Sequence, residues 1–565
     1  MQDKLKSILK SDRFKNYLNC ALLFFTIGFI VLVFGPVHIS KNNNTLLNQK
    51  LLVIISLGCA GAALILASVS LLLKKHYKYL ACILTGLLIL CFVNATIIPF
   101  QATILDGRDL VTMEDDLGPV VRNIVLLVFM IIASYALHEY LKKISIPLLG
   151  LCLALTMFNQ YELGAFKHTD KEAINKQRNE IIESASGFST DKNILIIGVD
   201  SFQGTLVERT FDQNPYLLDY FDGFTFFSRA FSSFPYTNYS RSAILSGKEY
   251  STTDLDYMAN IINAYNDSFI TDMQQNGIMV NGYGVDLIGV APSVNNFIES
   301  KVDPKYMYGY ALAASVARVA GYWPSNPFFG EVDTLILNSK LESVKAHEIL
   351  LDNFHVEASA EKCLFFWDYT LHAPVVLSQN GEVVKQEERK NDEQALIDEI
   401  TFECKQVNAL FEKMKQNNVY DNTLIIILSD HGQHHGAAYR DSIGGDFVDG
   451  NKKNGNYVKI GTYNPAILIK PPFSTGAVEI SQNDLWNGDL RAILNNYILD
   501  FTDISPIELA MDARKKNPVV KVMFAESGSN ENEYLYSSIY HQTVEVTSLY
   551  DIPEVFAQKS GIRDE

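Results

Sequence analysis

The residues best able to do chemistry lie in the stretch Leu424–Gly436, which reads LIIILSDHGQHHG. Its apolar part, Leu424 to Leu428, predicts a short buried strand. Asp430 and His431 follow that strand, and in open α/β sheets ligands bind outside the carboxyl ends of the strands. A carboxylate oxygen and an imidazole nitrogen at that place are a common beginning of a metal site. The alternative for the pair is a capping Asp beside a solvent-facing His.

Two motifs upstream supply groups of the same kind. Asp200 stands at the end of a second apolar run, Asn193–Val199, where an Asp is either a metal ligand or a helix cap. The run Thr237–Gly247, TNYSRSAILSG, predicts a hydroxyl at the amino terminus of a helix. Free backbone N–H groups and the helix dipole favour a phosphate or an alkoxide there, and Arg241 could bind the same anion. The alternative is a capping hydroxyl with a surface Arg.

The scaffold for these groups is predicted from the pattern of the chain after Lys192. Short apolar runs such as Cys363–Trp367 alternate with amphipathic helical segments such as Glu393–Gln416. This alternation predicts a mostly parallel central sheet with helices on both faces.

The first 160 residues hold nearly all the long apolar runs and predict a transmembrane domain. The predicted spans are residues 17–37, 51–73, 79–99, 119–137 and 144–159. The last is short and contains Pro147, so a buried core helix is its alternative. Charged residues are nearly absent within the spans, which favours an anchor over a transport pathway. A helical linker at residues 161–190 is expected to precede a second domain, residues 191–565.

Loop charges predict the orientation of the spans. Basic residues cluster in the amino terminus, in Lys74–Lys78 and in His138–Lys143, whereas Asn42–Gln49 is nearly uncharged and Gln101–Gly118 carries an acidic cluster. The positive-inside rule then places the amino terminus in the cytoplasm and residues 161–565 outside it. A reporter that works only in the cytoplasm is therefore expected to be silent when fused after Asp500, and activity there would contradict the orientation.

The overall charge excludes one class of function. The chain has 565 residues, a net charge of -17 at pH 7 and a pI near 5.2. Nucleic-acid binding needs basic patches, so no nucleic-acid partner is expected. Only Cys363 and Cys404 of the seven cysteines lie outside the apolar runs, which is no disulfide framework.

In chain order, three motifs resemble the alkaline-phosphatase/sulfatase superfamily. They are Asp200, the run T-x-Y-S-R-x-x-x-L-S-G from Thr237 to Gly247, and Asp430-His431-Gly432. In sulfatases the run begins with a nucleophilic Cys or Ser, and Thr237 falls on that position. Thr argues against a sulfatase and is what the membrane-anchored phosphoglycerol and phosphoethanolamine transferases use. Those enzymes also share five amino-terminal spans and an extracytoplasmic catalytic domain.

Shorter matches point to the lipoteichoic acid synthase type within that group. Asp200–Gln203, DSFQ, is similar to its Glu-Ser-Phe-Gln, and His372–Pro374 matches its His-x-Pro. The segment Asn464–Pro472 resembles its late strand and proline turn. Ser201 stands where sulfatases carry a second Asp, which suggests one metal ion with fewer carboxylates. The resemblance therefore implies a five-helix transmembrane block followed by an α/β sulfatase-like domain.

The resemblance also implies the residues of the site. One divalent metal ion, Zn²⁺ or Mn²⁺ in preference to Mg²⁺ or Ca²⁺, is expected to be held by Asp200, Thr237, Asp430 and His431. Thr237 is the expected nucleophile, because the metal would lower the pKa of its hydroxyl.

Other side chains are expected to contact the substrate. Arg241 is the expected anion binder, and His372 either protonates a leaving oxygen, orients the acceptor or is structural. His434, His435 and Lys459 are weaker candidates for substrate binding.

The expected function is transfer of a phosphoglycerol or phosphoethanolamine head group from a membrane phospholipid to an envelope glycan or glycolipid, through a covalent threonine intermediate. The alternatives are a metal-dependent phosphodiesterase or phosphatase, and a catalytically inactive lipid-binding regulatory relative. Asn238-Tyr239-Ser240 is a glycosylation sequon inside the expected site, which favours a bacterial inner membrane over a eukaryotic secretory route.

Overall fold

The structure is a computed structural model. It describes residues 11–42, 47–73, 76–97, 117–141, 143–164, 171–235, 237–249, 264, 266–283, 295–296, 308, 311–312, 315–316, 332–372, 375–385, 388–390, 393–433, 460–525, 541–549 and 551–552.

The chain divides into two compact units. One comprises Met1–Thr169 with Lys301–Leu335, and the other comprises Asp170–Ser300 with Ile336–Glu565. The domain boundaries expected from the sequence, at residues 160 and 190, stay predictions.

The first unit is helical. Its helices are α1 Asp12–Phe29, α2 Gly35–Asn42, α3 Gln49–Leu73, α4 Tyr77–Thr96, α5 Leu117–Ala136, α6 His138–Leu141 and α7 Ser145–Glu162. Three helical segments are long and apolar enough to cross a membrane, namely Asp12–Lys41, α3 and α4. The fourth and fifth predicted spans fall on α5 and α7, which are not among those three. The count of five spans therefore stays a prediction.

A π-helical turn, Ile30–Phe34, interrupts the first of these segments. Such a turn displaces the regular hydrogen-bond ladder. Two hydroxyls contact its carbonyls: Tyr308 donates to Leu32 at 2.6 Å, and Ser315 donates to Val31 at 2.7 Å. These bonds explain why part of residues 301–335 groups with the helical unit, which the order of the sequence does not indicate.

The second unit is built on an eight-stranded sheet. In spatial order its strands are β11 Glu479–Ser481, β3 Thr225–Phe227, β10 Ile467–Lys470, β9 Thr423–Leu428, β2 Asn193–Val199, β8 Lys362–Asp368, β5 Met279–Tyr283 and β6 Asn295–Asn296. All neighbours are parallel except that β10 runs antiparallel to both β3 and β9. The prediction of a mostly parallel sheet is confirmed.

Short strands form three two-stranded sheets beside the main one. The pairs are β1 Gly187–Ser189 with β7 His355–Glu357, β4 Ala230–Phe231 with β12 Leu485–Trp486, and β13 Val520–Ala525 with β14 His541–Val546.

Helices cover both faces of the main sheet. They are α8 Lys171–Ser186, α9 Gly204–Gln213, α10 Thr237–Ser246, α11 Phe269–Gln275, α12 Val332–Asp352, α13 Glu393–Gln416, α14 Leu490–Leu499 and α15 Pro506–Lys516. Alternate residues of β2 point to opposite faces, so Leu195 and Ile197 pack with α9 and α13. Ile194 and Ile196 pack in the other core, with α10 and α14.

The register of the central strands places their carboxyl ends together. Gly198 of β2 pairs with Leu428 of β9, and Val199 pairs with Asp368 of β8. The residues that follow β2 and β9 therefore lie side by side at one edge of the sheet, which is where the chemistry was expected.

Candidate active site

The structure brings Asp200, Thr237, Asp430 and His431 together at this edge. All four are buried, and one ligand atom each from the two carboxylates and the imidazole lie within 4.8 Å of one another. The Thr237 hydroxyl oxygen lies 3.2 Å from Asp200 Oδ2 and 3.1 Å from His431 Nε2. Thr237 begins helix α10, but both of these bonds go to site residues, which differs from the capping alternative.

The hydrogen bonds of His431 determine its tautomer. Its Nδ1 lies 2.7 Å from the carbonyl oxygen of Gly432, and a carbonyl oxygen can only accept. Nδ1 therefore carries the proton, and Nε2 presents its lone pair to Asp430 Oδ2, 3.6 Å away, and to Thr237. Neutral imidazole fixed in this way by a carbonyl is the usual state of a metal-ligating His.

Asp430 carries a buried oxygen that needs a partner. Its Oδ1 accepts the His431 backbone N–H at 3.0 Å, whereas Oδ2 has no hydrogen-bond partner among the described residues. Burial raises the pKa of Asp430, and the neighbouring Asp200 carboxylate raises it further. A buried charged oxygen of this kind is costly unless a cation compensates it. The side chains present thus fit a divalent metal ion, and their nitrogen and oxygen donors suit Zn²⁺ or Mn²⁺.

Two serines connect the strand ends that carry the carboxylates. Ser201 adopts a left-handed backbone conformation (φ 65°) and donates from Oγ to Asp200 Oδ1 at 2.9 Å. Ser429 Oγ accepts the Phe202 N–H at 2.9 Å and donates to the His431 carbonyl at 2.7 Å. Where sulfatases carry a second Asp, this chain therefore has a residue that orients Asp200.

Helix α10 is attached to the Asp430 turn by residues that the sequence analysis missed. Ser240 Oγ donates to the Asp430 carbonyl at 2.5 Å. Asn487 Nδ2 contacts Ser240 Oγ at 2.9 Å and the same carbonyl at 3.0 Å. Asn487 stands in no recognisable motif, so no local signal could have found it.

Gly432 is required by the path of the chain. A Cβ atom at this position would lie 1.9 Å from the Gly461 carbonyl oxygen, a backbone atom that cannot move aside. This close approach explains the glycine that ends the Asp430-His431-Gly432 motif.

Arg241 is buried and held by aromatic residues, so the alternative of a surface Arg is wrong. Its Cζ lies 4.2 Å from the centre of the Trp367 ring, and its NH2 group donates to the Tyr369 hydroxyl at 3.1 Å. Its charge lowers the pKa of Asp430, against the effect of burial, which places it close to the site electrostatically. The sequence analysis missed both aromatic residues.

Tyr369→Phe tests whether this hydroxyl positions Arg241. We expect kcat/KM for a chromogenic aryl phosphodiester to fall about tenfold, since a hydrogen bond to a charged group contributes roughly 1.5–3 kcal/mol. Tyr420→Phe is the matched control, because Tyr420 donates to the Asp222 carbonyl away from the site. Equal kinetics for both variants would contradict the positioning role.

The remaining predicted residues are placed as follows. His372 is partly exposed, with its ring centre 6.3 Å from that of Tyr369, next to the Arg241 contact. Its role stays a prediction. His434, His435 and Lys459 lie outside the described residues.

Several solved structures resemble this chain. The lipoteichoic acid synthase LtaP from Listeria monocytogenes is 14% identical over 60% of this chain and 81% of its own, with a TM-score of 0.32. The C-terminal periplasmic domain of EcEptC from Escherichia coli is 13% identical over 55% and 82%, with a TM-score of 0.32. A protein in the alkaline phosphatase superfamily from Vibrio parahaemolyticus is 13% identical over 68% and 95%, with a TM-score of 0.33.

These structures include the superfamily and the lipoteichoic acid synthase type that the motifs resemble. No protein-family model and no curated protein matches the chain. Because the identities and TM-scores are low, the function is inferred below from the geometry of the site.

Proposed function

We propose that this chain is a metal-dependent transferase that moves a phospho-substituted head group, phosphoglycerol or phosphoethanolamine, from a membrane lipid to an envelope glycan or glycolipid. The observation that carries the proposal is the Thr237 hydroxyl, held 3.2 Å from Asp200 and 3.1 Å from His431 at the start of helix α10. A threonine oxygen placed within a candidate metal site can act as a nucleophile. A threonine that only supported the fold would not need these two partners.

Asp200, Asp430, His431 and Thr237 would hold the metal ion. When bound, a divalent cation lowers the pKa of a hydroxyl and neutralises charge on a phosphoryl group. The Thr237 hydroxyl donates to Asp200 Oδ2 in the structure, which makes that carboxylate the first acceptor for the proton that Thr237 loses.

The transfer proceeds in two displacements. In the first, Thr237 Oγ1 forms a bond to the phosphorus atom, and the bond from phosphorus to the diacylglycerol oxygen breaks. That oxygen leaves with a proton, for which His372 is the proposed donor. In the second, a hydroxyl of the glycan acceptor attacks the phosphorus, and Thr237 regains its proton as it leaves.

Arg241 would bind a phosphoryl oxygen in both steps. Its guanidinium is fixed by the Trp367 ring and the Tyr369 hydroxyl, and a fixed cation loses little conformational entropy when it binds an anion. The apolar helices of the first unit support a membrane-anchored enzyme, since an anchor keeps a lipid donor within reach. We propose a multi-pass protein of the bacterial inner membrane with the catalytic domain outside the cytoplasm.

Mass spectrometry of the full chain after incubation with membrane phospholipids tests the proposal. The expected result is a covalent adduct on Thr237 whose mass identifies the head group, and which disappears when a glycan acceptor is added. Release of free head group at the same rate with and without acceptor would instead indicate the phosphodiesterase alternative. A chain that binds lipid but forms neither adduct nor product would indicate the inactive regulatory alternative.

A further inference from the structure

A second cluster of metal-ligating side chains lies apart from the four residues of the candidate active site. It comprises His347 of α12, Asp368 at the end of β8 and Glu403 of α13, with one ligand atom from each within 4.8 Å of the others. His347 Nε2 lies 2.6 Å from Asp368 Oδ2 and 3.9 Å from Glu403 Oε1. The three side chains are 4%, 0% and 2% exposed, so bulk water cannot solvate them.

The cluster contains oxygens that the protein leaves without partners. Gln406 donates to Glu403 Oε2 at 3.0 Å, but Glu403 Oε1, which faces His347, has no hydrogen-bond partner among the described residues. The Thr370 hydroxyl is a second buried oxygen in this position, again within the described part of the chain. Its backbone N–H donates to Asp368 Oδ1 at 2.5 Å, which keeps Thr370 beside the cluster. Buried polar atoms in native proteins rarely remain unpaired.

The charge of the cluster is also uncompensated by the neighbouring buried cation. Lys340 acts electrostatically on Asp368, but its ammonium group donates to both carboxylate oxygens of Glu399 at 2.8 Å. Glu399 also accepts the backbone N–H groups of Val376 and Leu377. The Lys340–Glu399 pair is therefore neutral in itself, and two ionised carboxylates with a neutral imidazole would leave a charge of about -2 in the interior.

We propose that His347, Asp368 and Glu403 bind a divalent cation of the zinc or manganese class, separate from the catalytic metal. One nitrogen and two carboxylate oxygens form a donor set of the kind these ions accept, and a doubly charged ion neutralises the cluster. Thr370 supplies a further oxygen. Because all three ligands are buried, the site is closed, as structural rather than catalytic metal sites are.

The position of the cluster gives the cation a purpose in the fold. It would connect helices α12 and α13 to the end of β8, where the Asp368 carbonyl accepts the Asp200 N–H at 2.9 Å. The next residue, Tyr369, contacts Arg241, and its own N–H donates to Ser343 of α12 at 3.0 Å. The cation would thereby stabilise the segment that carries part of the candidate active site.

Metal analysis of the full chain in detergent tests the proposal. The protein is loaded with ZnCl₂ or with MnCl₂, exchanged into metal-free buffer and analysed by inductively coupled plasma mass spectrometry. We expect Glu403→Gln, which keeps the shape of the side chain, to retain one metal equivalent less than wild type. Cys404→Ala, which changes the next buried residue of α13, is the matched control and should retain the wild-type content. Retention of the wild-type metal content by Glu403→Gln would overturn the proposal.

A second measurement covers the case in which Glu403→Gln fails to fold. Asp430→Asn disrupts the catalytic site but leaves this cluster intact, so it should still retain metal, and chelation should lower its Tm. If Asp430→Asn retains no metal and its Tm is unchanged by chelator, the cluster is a proton-sharing network and the proposal is wrong. In that state burial raises the pKa of Glu403 to about 8, so a proton occupies its carboxyl group. The two variants separate this outcome from failure of the proposed catalytic metal.

Discussion

Thr237→Ala is expected to abolish head-group transfer while leaving the protein folded. Removal of the attacking oxygen should lower turnover by about 10³-fold or more, as for other nucleophile deletions. The free energy of unfolding should fall by only about 1 kcal/mol, because the lost hydrogen bonds join side chains of the site rather than elements of the core. Thr237→Ser keeps the oxygen and should retain part of the activity. Turnover and thermal unfolding of the three proteins measure these effects.

A true capping residue in the same domain provides the control. Ser268 accepts the Thr271 N–H at 3.3 Å at the start of helix α11, as an N-cap does. Ser268→Ala should therefore cost about 1 kcal/mol of stability and leave turnover unchanged. If Thr237→Ala behaves in the same way and transfers at the wild-type rate, the covalent mechanism is excluded, whatever the metal site holds.

The strand ends of the site could be predicted from the sequence because they follow from local patterns. The apolar runs before Asp200 and Asp430 define buried strands, and parallel strands bring their carboxyl ends to one edge. The hydroxyl of Thr237 was expected at a helix start for the same local reason. Chemistry located at the ends of regular elements is thus accessible from periodicity and residue type alone.

Contacts between distant segments could not be predicted in this way. The sequence analysis expected Arg241 to bind an anion, but nothing near it in the chain indicates the Trp367 ring or the Tyr369 hydroxyl that hold it. His347 and Glu403 each occupy an ordinary amphipathic helix, and only the packing of α12 and α13 on the sheet places them beside Asp368. Tertiary packing, which periodicity does not encode, determines these juxtapositions.

Asp430→Asn is expected to remove the catalytic metal without destabilising the metal-free protein. The substitution keeps Oδ1, which accepts the His431 N–H, and replaces the unpartnered Oδ2 with a neutral amide. In the absence of metal it relieves repulsion from the Asp200 carboxylate, so the free energy of unfolding should stay constant or rise. Affinity for the metal should fall by more than the roughly 10–100-fold typical of an outer-shell substitution, and transfer should stop. Metal content, turnover and Tm with chelator measure the three effects.

The opposite sign is expected at a carboxylate that serves only the fold. Asp272 accepts hydrogen bonds from Arg491 Nε at 2.8 Å and from its NH2 group at 3.0 Å, a bidentate pair. Asp272→Asn should therefore lose about 1–3 kcal/mol of stability while it retains metal and turnover. A metal-free Asp430→Asn protein that loses as much stability as Asp272→Asn would show that Asp430 supports the fold. Full metal content and activity in Asp430→Asn would show that the catalytic metal, if there is one, is held elsewhere.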